Sequence, residues 1–191
     1  RDTTKSPPKP FHTSRLLQVA SNILHISPSE TMRLCQQLYQ TGYITYMRTE
    51  STKYAKPFLQ EISKYIQEEY GSEKYVGNID ELENKQSNNP HEAIRVTQLI
   101  NKTILSDDSR LVSMYKLIWK NTVESCMSEA KYKAIPLEVS GPEKTKYTYT
   151  HEIPLFLGWK TVSDKKLDTD TQNEANGLHM FFKTQLQKPI K

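Results

Sequence analysis

The first half of the chain places apolar residues at the spacing of amphipathic helices. A first helix is predicted near the N-terminus, with Thr13 as a candidate cap. Its apolar face consists of Leu16, Ala20, Ile23 and Leu24. A capping box formed by Ser27 and Glu30 predicts the start of a second helix, and Gly42 predicts its end. The buried positions of this second helix are Thr31, Leu34, Cys35 and Leu38.

Two further helices show the same periodicity. Gly71 is predicted to end the third helix, and residues 72–90 lack periodicity, which predicts a surface loop. The apolar positions of the third helix are Phe58, Ile62, Tyr65 and Ile66. A long fourth helix is predicted from about Asp107 to Ala130. Its buried positions include Leu111, Met114, Ile118 and Trp119.

The pattern then changes to alternation with a period of two residues. Residues 133–139 and 146–150 alternate on either side of Gly141 and Pro142, which predicts a β hairpin or meander. Residues 164–176 are polar, and residues 178–186 predict a last strand. Helices followed by strands predict an α+β fold with two segregated units. The predicted division is a polar, proline-rich linker or extended segment at 1–10, a helical domain at 11–131 and a β-rich segment at 132–191.

A tyrosine and an arginine lie two residues apart directly after the second helix. In an extended segment, Tyr46, Arg48 and Glu50 would share one face. A phenol is a poor nucleophile at neutral pH because its pKa is about 10, and nearby cations favour the phenolate. An arginine can also neutralise the charge on phosphate oxygens during phosphoryl transfer. The pair therefore predicts a nucleophile beside an anion clamp, although a half-buried aromatic beside a solvated cation gives the same short pattern.

A histidine and an arginine form a second candidate pair later in the chain. Pro90 precedes good helix formers, which predicts a short helical turn or the start of a helix. On such a turn His91 and Arg95 would share a face and could bind a phosphate. A surface ion pair between Glu92 and a neighbouring lysine is the alternative interpretation of this segment.

Three short blocks resemble segments of type IA DNA topoisomerases and occur in that family's order. Residues 42–51, G-Y-I-T-Y-M-R-T-E-S, resemble the segment around the nucleophilic tyrosine, where aspartate is usual in place of Glu50. Residues 91–95 match the H-E-A-I-R element, and residues 10–14 resemble the P-F-x-T-S opening. Residues 156–159, F-L-G-W, are similar to a turn in the family's gate domain.

This resemblance implies an isomerase that cuts one DNA strand through a transient 5′-phosphotyrosine bond, passes another strand and reseals the cut without ATP. The catalytic residues that it implies are Tyr46, Arg48 and His91, and the implied DNA-binding residues are Arg95, Glu50 and Ser51. It also implies a helical active-site domain inserted in a β-rich, arch-forming domain. The implied partners are DNA, mainly single-stranded, and the remaining domains of the same enzyme.

A type IA enzyme also needs an acidic domain that holds Mg²⁺ beside the cut. The only D-x-D in the chain is Asp168-Thr169-Asp170, which lies in a polar stretch without a preceding apolar strand and predicts a solvated turn. No metal site is therefore predicted in this chain. We expect a fragment of a larger enzyme, inactive by itself, whose Mg²⁺ is bound by domains outside this sequence.

Composition adds little to this interpretation. The formal net charge is +4, which is mildly basic and less than is typical of a dedicated DNA-binding domain. Cys35 and Cys126 are predicted to be buried thiols in a reducing compartment, and no C-x-x-C zinc motif occurs. No apolar run approaches the length of a membrane span, and no signal peptide is recognised. These features predict a soluble protein of the cytoplasm, the nucleoid or another intracellular DNA compartment.

Two other classes of function stay open at the level of sequence. In the first alternative, the chain is a non-catalytic module that binds nucleic acid or protein and retains the tyrosine motif without using it. In the second, it is an unrelated soluble α+β domain.

Overall fold

The computed structural model describes residues 1–85, 91–140 and 145–163. The described residues divide into two compact units, one formed within residues 6–129 and the other by residues 1–5 together with the described residues after 129. The first unit is helical and is inserted, in sequence, within the second, which contains a β-sheet. The α+β class is therefore confirmed. The predicted last strand at 178–186 and the D-x-D at 168–170 lie outside the described residues.

The helical unit contains four α-helices in its described residues. They are α1 (Thr13–Leu24), α2 (Pro28–Gln40), α3 (Lys56–Tyr70) and α4 (Ser109–Ser125). Two short 3₁₀ turns, Glu73–Tyr75 and Ile79–Leu82, lie within the predicted surface loop. Helix α2 packs against both α1 and α4, and the buried residues of all three contribute to one core.

Helix α2 follows its sequence pattern closely and ends where the candidate nucleophile segment begins. The Ser27 hydroxyl accepts a hydrogen bond from the Glu30 N–H at 3.2 Å, which is one half of the predicted capping box, while the Glu30 carboxylate accepts from Arg33. The four predicted buried residues are all buried. Gly42 follows the end of the helix with a φ of 77°, a left-handed conformation that glycine adopts without a steric penalty.

The structure corrects the predicted apolar face of α1 and the predicted end of α4. Ile23 and Leu24 were predicted on the apolar face of α1, but Ile23 is 59% exposed, and α1 buries only Leu16 and Ala20. Helix α4 ends at Ser125, not at Ala130, since Cys126 caps it and the chain then turns into a strand. The extent of α4 was overestimated because Cys126, Met127 and Ala130 are all buried, and apolar residues that continue past a helix end do not mark it.

Both cysteines are buried small side chains, as predicted. Burial raises the pKa of the Cys35 thiol to about 12 and that of the Cys126 thiol to about 12. Thiols with such pKa values carry almost no thiolate at neutral pH, so neither is suited to act as a nucleophile or a metal ligand.

Two extended segments of the helical unit run antiparallel to other parts of the chain through isolated bridges. Phe11 pairs with Ile94, and Ile44 pairs with Val96. These four side chains are almost completely buried. The bridges bring together the three blocks that the sequence separates by dozens of residues.

The other unit contains an antiparallel sheet of three strands among its described residues. The strands are β1 (Asp2–Lys5), β2 (Ala130–Ser140) and β3 (Lys146–Phe156), in the order β1-β2-β3. Thr3 faces Tyr132, and Leu137 faces Tyr149. The predicted hairpin is thus present, and both of its strands are longer than the alternation indicated. Residues 2–5, which the sequence placed in a linker or extended segment, contribute a strand to this sheet.

Candidate active site

The segment after α2 presents alternate side chains to the core and to solvent. Met47 and Thr49 are buried, whereas Tyr46, Arg48 and Glu50 are exposed. All three candidate side chains are therefore exposed, while the backbone bends at residues 47 and 48, so their shared face stays a prediction. Because Met47 and Thr49 are packed in the core, they fix the backbone that carries the exposed side chains.

Thr45 joins this segment to the later block at 91–95. Its N–H donates to the Arg95 carbonyl oxygen at 2.9 Å, and its hydroxyl donates to the Ala93 carbonyl oxygen at 3.0 Å. The same hydroxyl accepts from the Arg95 N–H at 3.0 Å. The residue directly before Tyr46 is therefore fixed to a neighbouring backbone by three hydrogen bonds.

The ring of Tyr46 lies between two other rings. The Tyr39 ring from the last turn of α2 meets it edge-on, with ring centroids 5.3 Å apart, and the His91 ring lies 6.1 Å away at a tilt of 31°. Tyr46 remains 39% exposed. Its hydroxyl makes no hydrogen bond with any residue that the structure describes, so it is accessible to an incoming phosphate.

Arg48 is the second exposed group of the segment. In the described part of the chain its guanidinium forms no hydrogen bond and no ion pair. A solvent-facing guanidinium with all of its donors available can bind a phosphate through two parallel hydrogen bonds. Arg48 lies two residues after Tyr46, and both side chains are open to a ligand from solvent.

The segment at 91–95 is extended, and the predicted helical turn is wrong. Ile94 and Val96 lie in backbone bridges, and the Ala93 N–H donates to the Lys53 carbonyl oxygen at 2.7 Å. Such long-range pairing overrides the local preference of Glu and Ala for helix. His91 and Arg95 consequently do not share a helical face.

Arg95 points into the protein and has internal partners. Its Nε donates to Glu92 Oε2 and its Nη2 to Glu92 Oε1, both at 2.9 Å. The guanidinium also lies 4.0 Å from the centre of the Phe58 ring, a cation–π contact. The Arg95 and Glu92 side chains are only 15% and 21% exposed. This geometry is that of a structural ion pair, and it supports the alternative interpretation of Glu92 with arginine in the place of lysine.

Glu50 and Ser51 lie beyond Arg48, close to the start of α1. Glu50 Oε2 is 3.0 Å from His12 Nδ1, and Glu50 Oε1 accepts from the Ser14 hydroxyl at 3.5 Å. Ser51 makes local contacts, with its N–H donating to the Thr49 hydroxyl at 3.1 Å. Neither environment is by itself a phosphate site, so their predicted contacts with DNA stay predictions.

Sequence reasoning missed two residues of this site. Tyr39 was absent from the predicted face of α2, although its place one turn before Gly42 puts it next to the nucleophile segment. Thr13 was interpreted as a helix cap, but His12 occupies that position and the Thr13 hydroxyl contacts residues 47–49 instead. Only the P-F-x-T-S resemblance hinted at a role for Thr13 beyond its helix.

No group of three or more His, Cys, Asp or Glu side chains that could hold a metal ion lies within the described ranges. Nor is any helix there both long enough and apolar enough to cross a membrane.

Comparison with known proteins gives one consistent family. The family model described as DNA topoisomerase matches residues 1–186. The mimivirus protein named DNA topoisomerase 1 type prokaryotic is 39% identical over 90% of this chain, and DNA topoisomerase 1 of Escherichia coli is 33% identical over 85%. The alignments cover 21% and 19% of those proteins, so the chain spans about a fifth of their length.

A solved structure agrees with the sequence comparisons. Full-length topoisomerase I from Thermotoga maritima superposes with a TM-score of 0.71 at 31% identity, over 85% of this chain and 28% of that one. The family model, the sequence relatives and the solved structure therefore point to the same family. The chain belongs to the DNA topoisomerase family, as its resemblance to the type IA members predicted.

Proposed function

We propose that this chain carries the strand-cleaving tyrosine of a type IA DNA topoisomerase, with Tyr46 as the nucleophile. The observation that supports this most is an accessible phenol two residues from an exposed guanidinium, which has no partner among the described residues, in a segment that Thr45 ties to residues 93 and 95. DNA is the proposed substrate, mainly in single-stranded form, as the resemblance to the type IA enzymes implies.

The proposed reaction is a transesterification that conserves the phosphodiester bond energy. The Tyr46 oxygen attacks the phosphorus and forms a bond with it, while the bond between phosphorus and the 3′ oxygen breaks. The phenolic proton is lost to solvent or to a base, and the departing 3′ oxygen gains a proton. Attack by that 3′ hydroxyl reverses the step and reseals the strand, so ATP is not required.

Arg48 and His91 have electrostatic roles in this proposal. Arg48 binds the non-bridging phosphate oxygens, where negative charge accumulates in the transition state. The His91 ring, 6.1 Å from that of Tyr46, is within reach of the same phosphate as a hydrogen-bond donor. Arg95, paired with Glu92, is assigned to holding the segment that carries His91.

The proposal includes parts of the enzyme that lie beyond this chain. A chain spanning about a fifth of its relatives is proposed to act with further domains of the same protein. Mg²⁺ is proposed to be bound by acidic side chains of those domains, where it would neutralise phosphate charge beside the cut. Residues of the described chain supply the tyrosine and its surroundings, and the 191 residues by themselves are expected not to relax supercoils.

Trapping of the covalent adduct tests the proposal in the complete enzyme. A 3′-labelled single-stranded oligonucleotide, incubated with enzyme and stopped with denaturant, should yield a labelled protein band from the wild type and none from Tyr46→Phe. Tyr39→Phe is the matched control, because its ring lies 5.3 Å from that of Tyr46 and loses the same hydroxyl. Tyr39→Phe should form the adduct.

The alternative of a non-catalytic binding module makes the opposite prediction. It expects binding of the oligonucleotide by wild type and Tyr46→Phe alike, with no covalent band from either. An adduct that persists in Tyr46→Phe would refute the assignment of the nucleophile while leaving the enzyme class intact.

A further inference from the structure

One threonine contacts the backbone on both sides of Arg48. The Thr13 hydroxyl oxygen lies 2.8 Å from the Met47 carbonyl oxygen and accepts a hydrogen bond from the Thr49 N–H at 2.9 Å. The Met47 carbonyl belongs to the peptide group before Arg48, and the Thr49 N–H belongs to the peptide group after it. Holding both peptide groups restricts both backbone dihedrals of Arg48.

A further pair of contacts makes this attachment specific. The Thr13 N–H donates to the Thr49 carbonyl oxygen at 2.9 Å, and the hydroxyl lies 3.0 Å from that same oxygen. Thr13 is the first residue of α1, where backbone N–H groups lack partners within the helix. The first turn of α1 thus uses a backbone N–H that has no partner within the helix, that of Thr13, to bind the Thr49 carbonyl oxygen.

We propose that Thr13 is a positioning residue for Arg48, a role that rests on the proposed function of the Tyr46 segment. Thr13 itself touches no substrate in this proposal. Its hydroxyl fixes the direction in which the Arg48 guanidinium leaves the backbone, so that the guanidinium faces the phosphate attacked by Tyr46. Loss of the hydroxyl leaves the N–H of the buried Thr49 without that acceptor and lets the peptide groups around Arg48 reorient.

Substitution by valine removes the hydroxyl and keeps the shape. We expect Thr13→Val in the complete enzyme to lower the rate of adduct formation about tenfold to a hundredfold, because small displacements of a positioned group have effects of that size. The oligonucleotide Kd should change by less than about twofold, since the charges are unchanged. Thr13→Ser retains the hydroxyl and should restore most of the rate.

Two comparisons separate positioning from general stability. In an Arg48→Ala background, Thr13→Val should cost less than about threefold, because the residue that it positions is gone. Thr41→Val is the matched control, since the Thr41 hydroxyl also bonds backbone, to the Gln37 carbonyl oxygen at 2.9 Å, but at the end of α2. That control should leave the rate unchanged. An equal loss from Thr13→Val in both backgrounds, or no loss in either, would overturn the proposal.

Amide hydrogen exchange gives a test that does not require topoisomerase activity. In the 191-residue chain, Thr13→Val should speed exchange of the Thr49 amide by about tenfold or more and leave the amides of α4 unchanged. Unchanged protection of Thr49 would refute the positioning role even if Tyr46 is the nucleophile. If valine prevents folding, Thr13→Ser compared with Thr13→Ala supplies the same contrast. Failure of Tyr46 to form an adduct would contradict the proposed function without altering the exchange result.

Discussion

The segments at 42–51 and 91–95 resemble the same family, yet their arginines have opposite surroundings. Thr45 joins the two segments, because its N–H and its hydroxyl donate hydrogen bonds to the backbone carbonyl oxygens of Arg95 and Ala93. Arg48 points to solvent with no hydrogen-bond partner among the described residues, whereas Arg95 is largely buried against Glu92 and Phe58. A motif match therefore does not show which of its side chains are exposed and which have partners inside the protein.

The cause of the difference lies in what surrounds each arginine. Arg48 is exposed and lies between the buried residues Met47 and Thr49. The nearby Glu50 carboxylate contacts His12 and Ser14 and forms no ion pair with Arg48. Arg95 instead has a carboxylate three residues earlier and an aromatic ring from α3 beneath it. We infer that Arg48 takes part in strand cleavage and that Arg95 stabilises the local structure. Measuring both the cleavage rate and the stability of variants at each arginine tests this division.

The largest effect is expected from Arg48. Arg48→Ala should lower the rate of adduct formation by about a hundredfold to a thousandfold, because a preorganised charge donor contributes about 3 kcal/mol or more to the transition state. Arg48→Lys should restore little of the rate, since the planar fork is lost. Thermal unfolding of the 191-residue chain should change little, within about 0.5 kcal/mol, because the side chain is exposed.

A single-turnover cleavage assay of the complete enzyme measures this effect. A wild-type rate of cleavage by Arg48→Ala would show that residues other than Arg48 bind the scissile phosphate. Full rescue by lysine would show that charge alone is required and that the bidentate geometry is not used.

Arg95 should show the reverse pattern, with the effect on stability. Arg95→Ala leaves the Glu92 carboxylate partly buried without its partner, so the free energy of unfolding should fall by about 2–4 kcal/mol. Urea denaturation of the 191-residue chain, followed by circular dichroism, measures the change. The double variant Glu92→Ala, Arg95→Ala is the control, and it should be less destabilised than the sum of the two single variants.

Any loss of cleavage in Arg95→Ala should disappear when the assay is run at a temperature where the variant is fully folded. A rate defect in the folded variant, without loss of stability, would mean that Arg95 contacts the substrate and that the ion pair opens when DNA binds.

The sequence predicted most of the helical unit because its helices carry their own signals. The capping box at Ser27 and the glycine at 42 set the limits of α2 locally, and the structure agrees with both. The segment at 91–95 was misjudged because its shape depends on Phe11 and Thr45, partners far away in sequence. The contacts of Thr13 with residues 47–49 were missed for the same reason, since a threonine at a helix start has a common local explanation.

The smallest expected effect is on DNA binding by the 191-residue chain. The few charged contacts made around Tyr46, Arg48, His91 and Arg95 would give a salt slope of about −2 to −3, since each phosphate neutralised by a cation contributes about −0.7 for single strands. With Arg95 paired to Glu92, we expect a value near the shallow end, about −2. Arg48→Gln should reduce the steepness by about 0.7, whereas Arg95→Gln should leave the slope unchanged.

Fluorescence anisotropy of a labelled oligonucleotide across a salt series measures these slopes. The titrations belong at a temperature where both variants are folded, so that lost structure is not counted as lost contact. Equal reductions from the two substitutions would show that Arg95 leaves Glu92 for the phosphate backbone, and the division between the two arginines would fail. A reduction from Arg48→Gln alone would extend that division from the chemistry of cleavage to the binding of DNA.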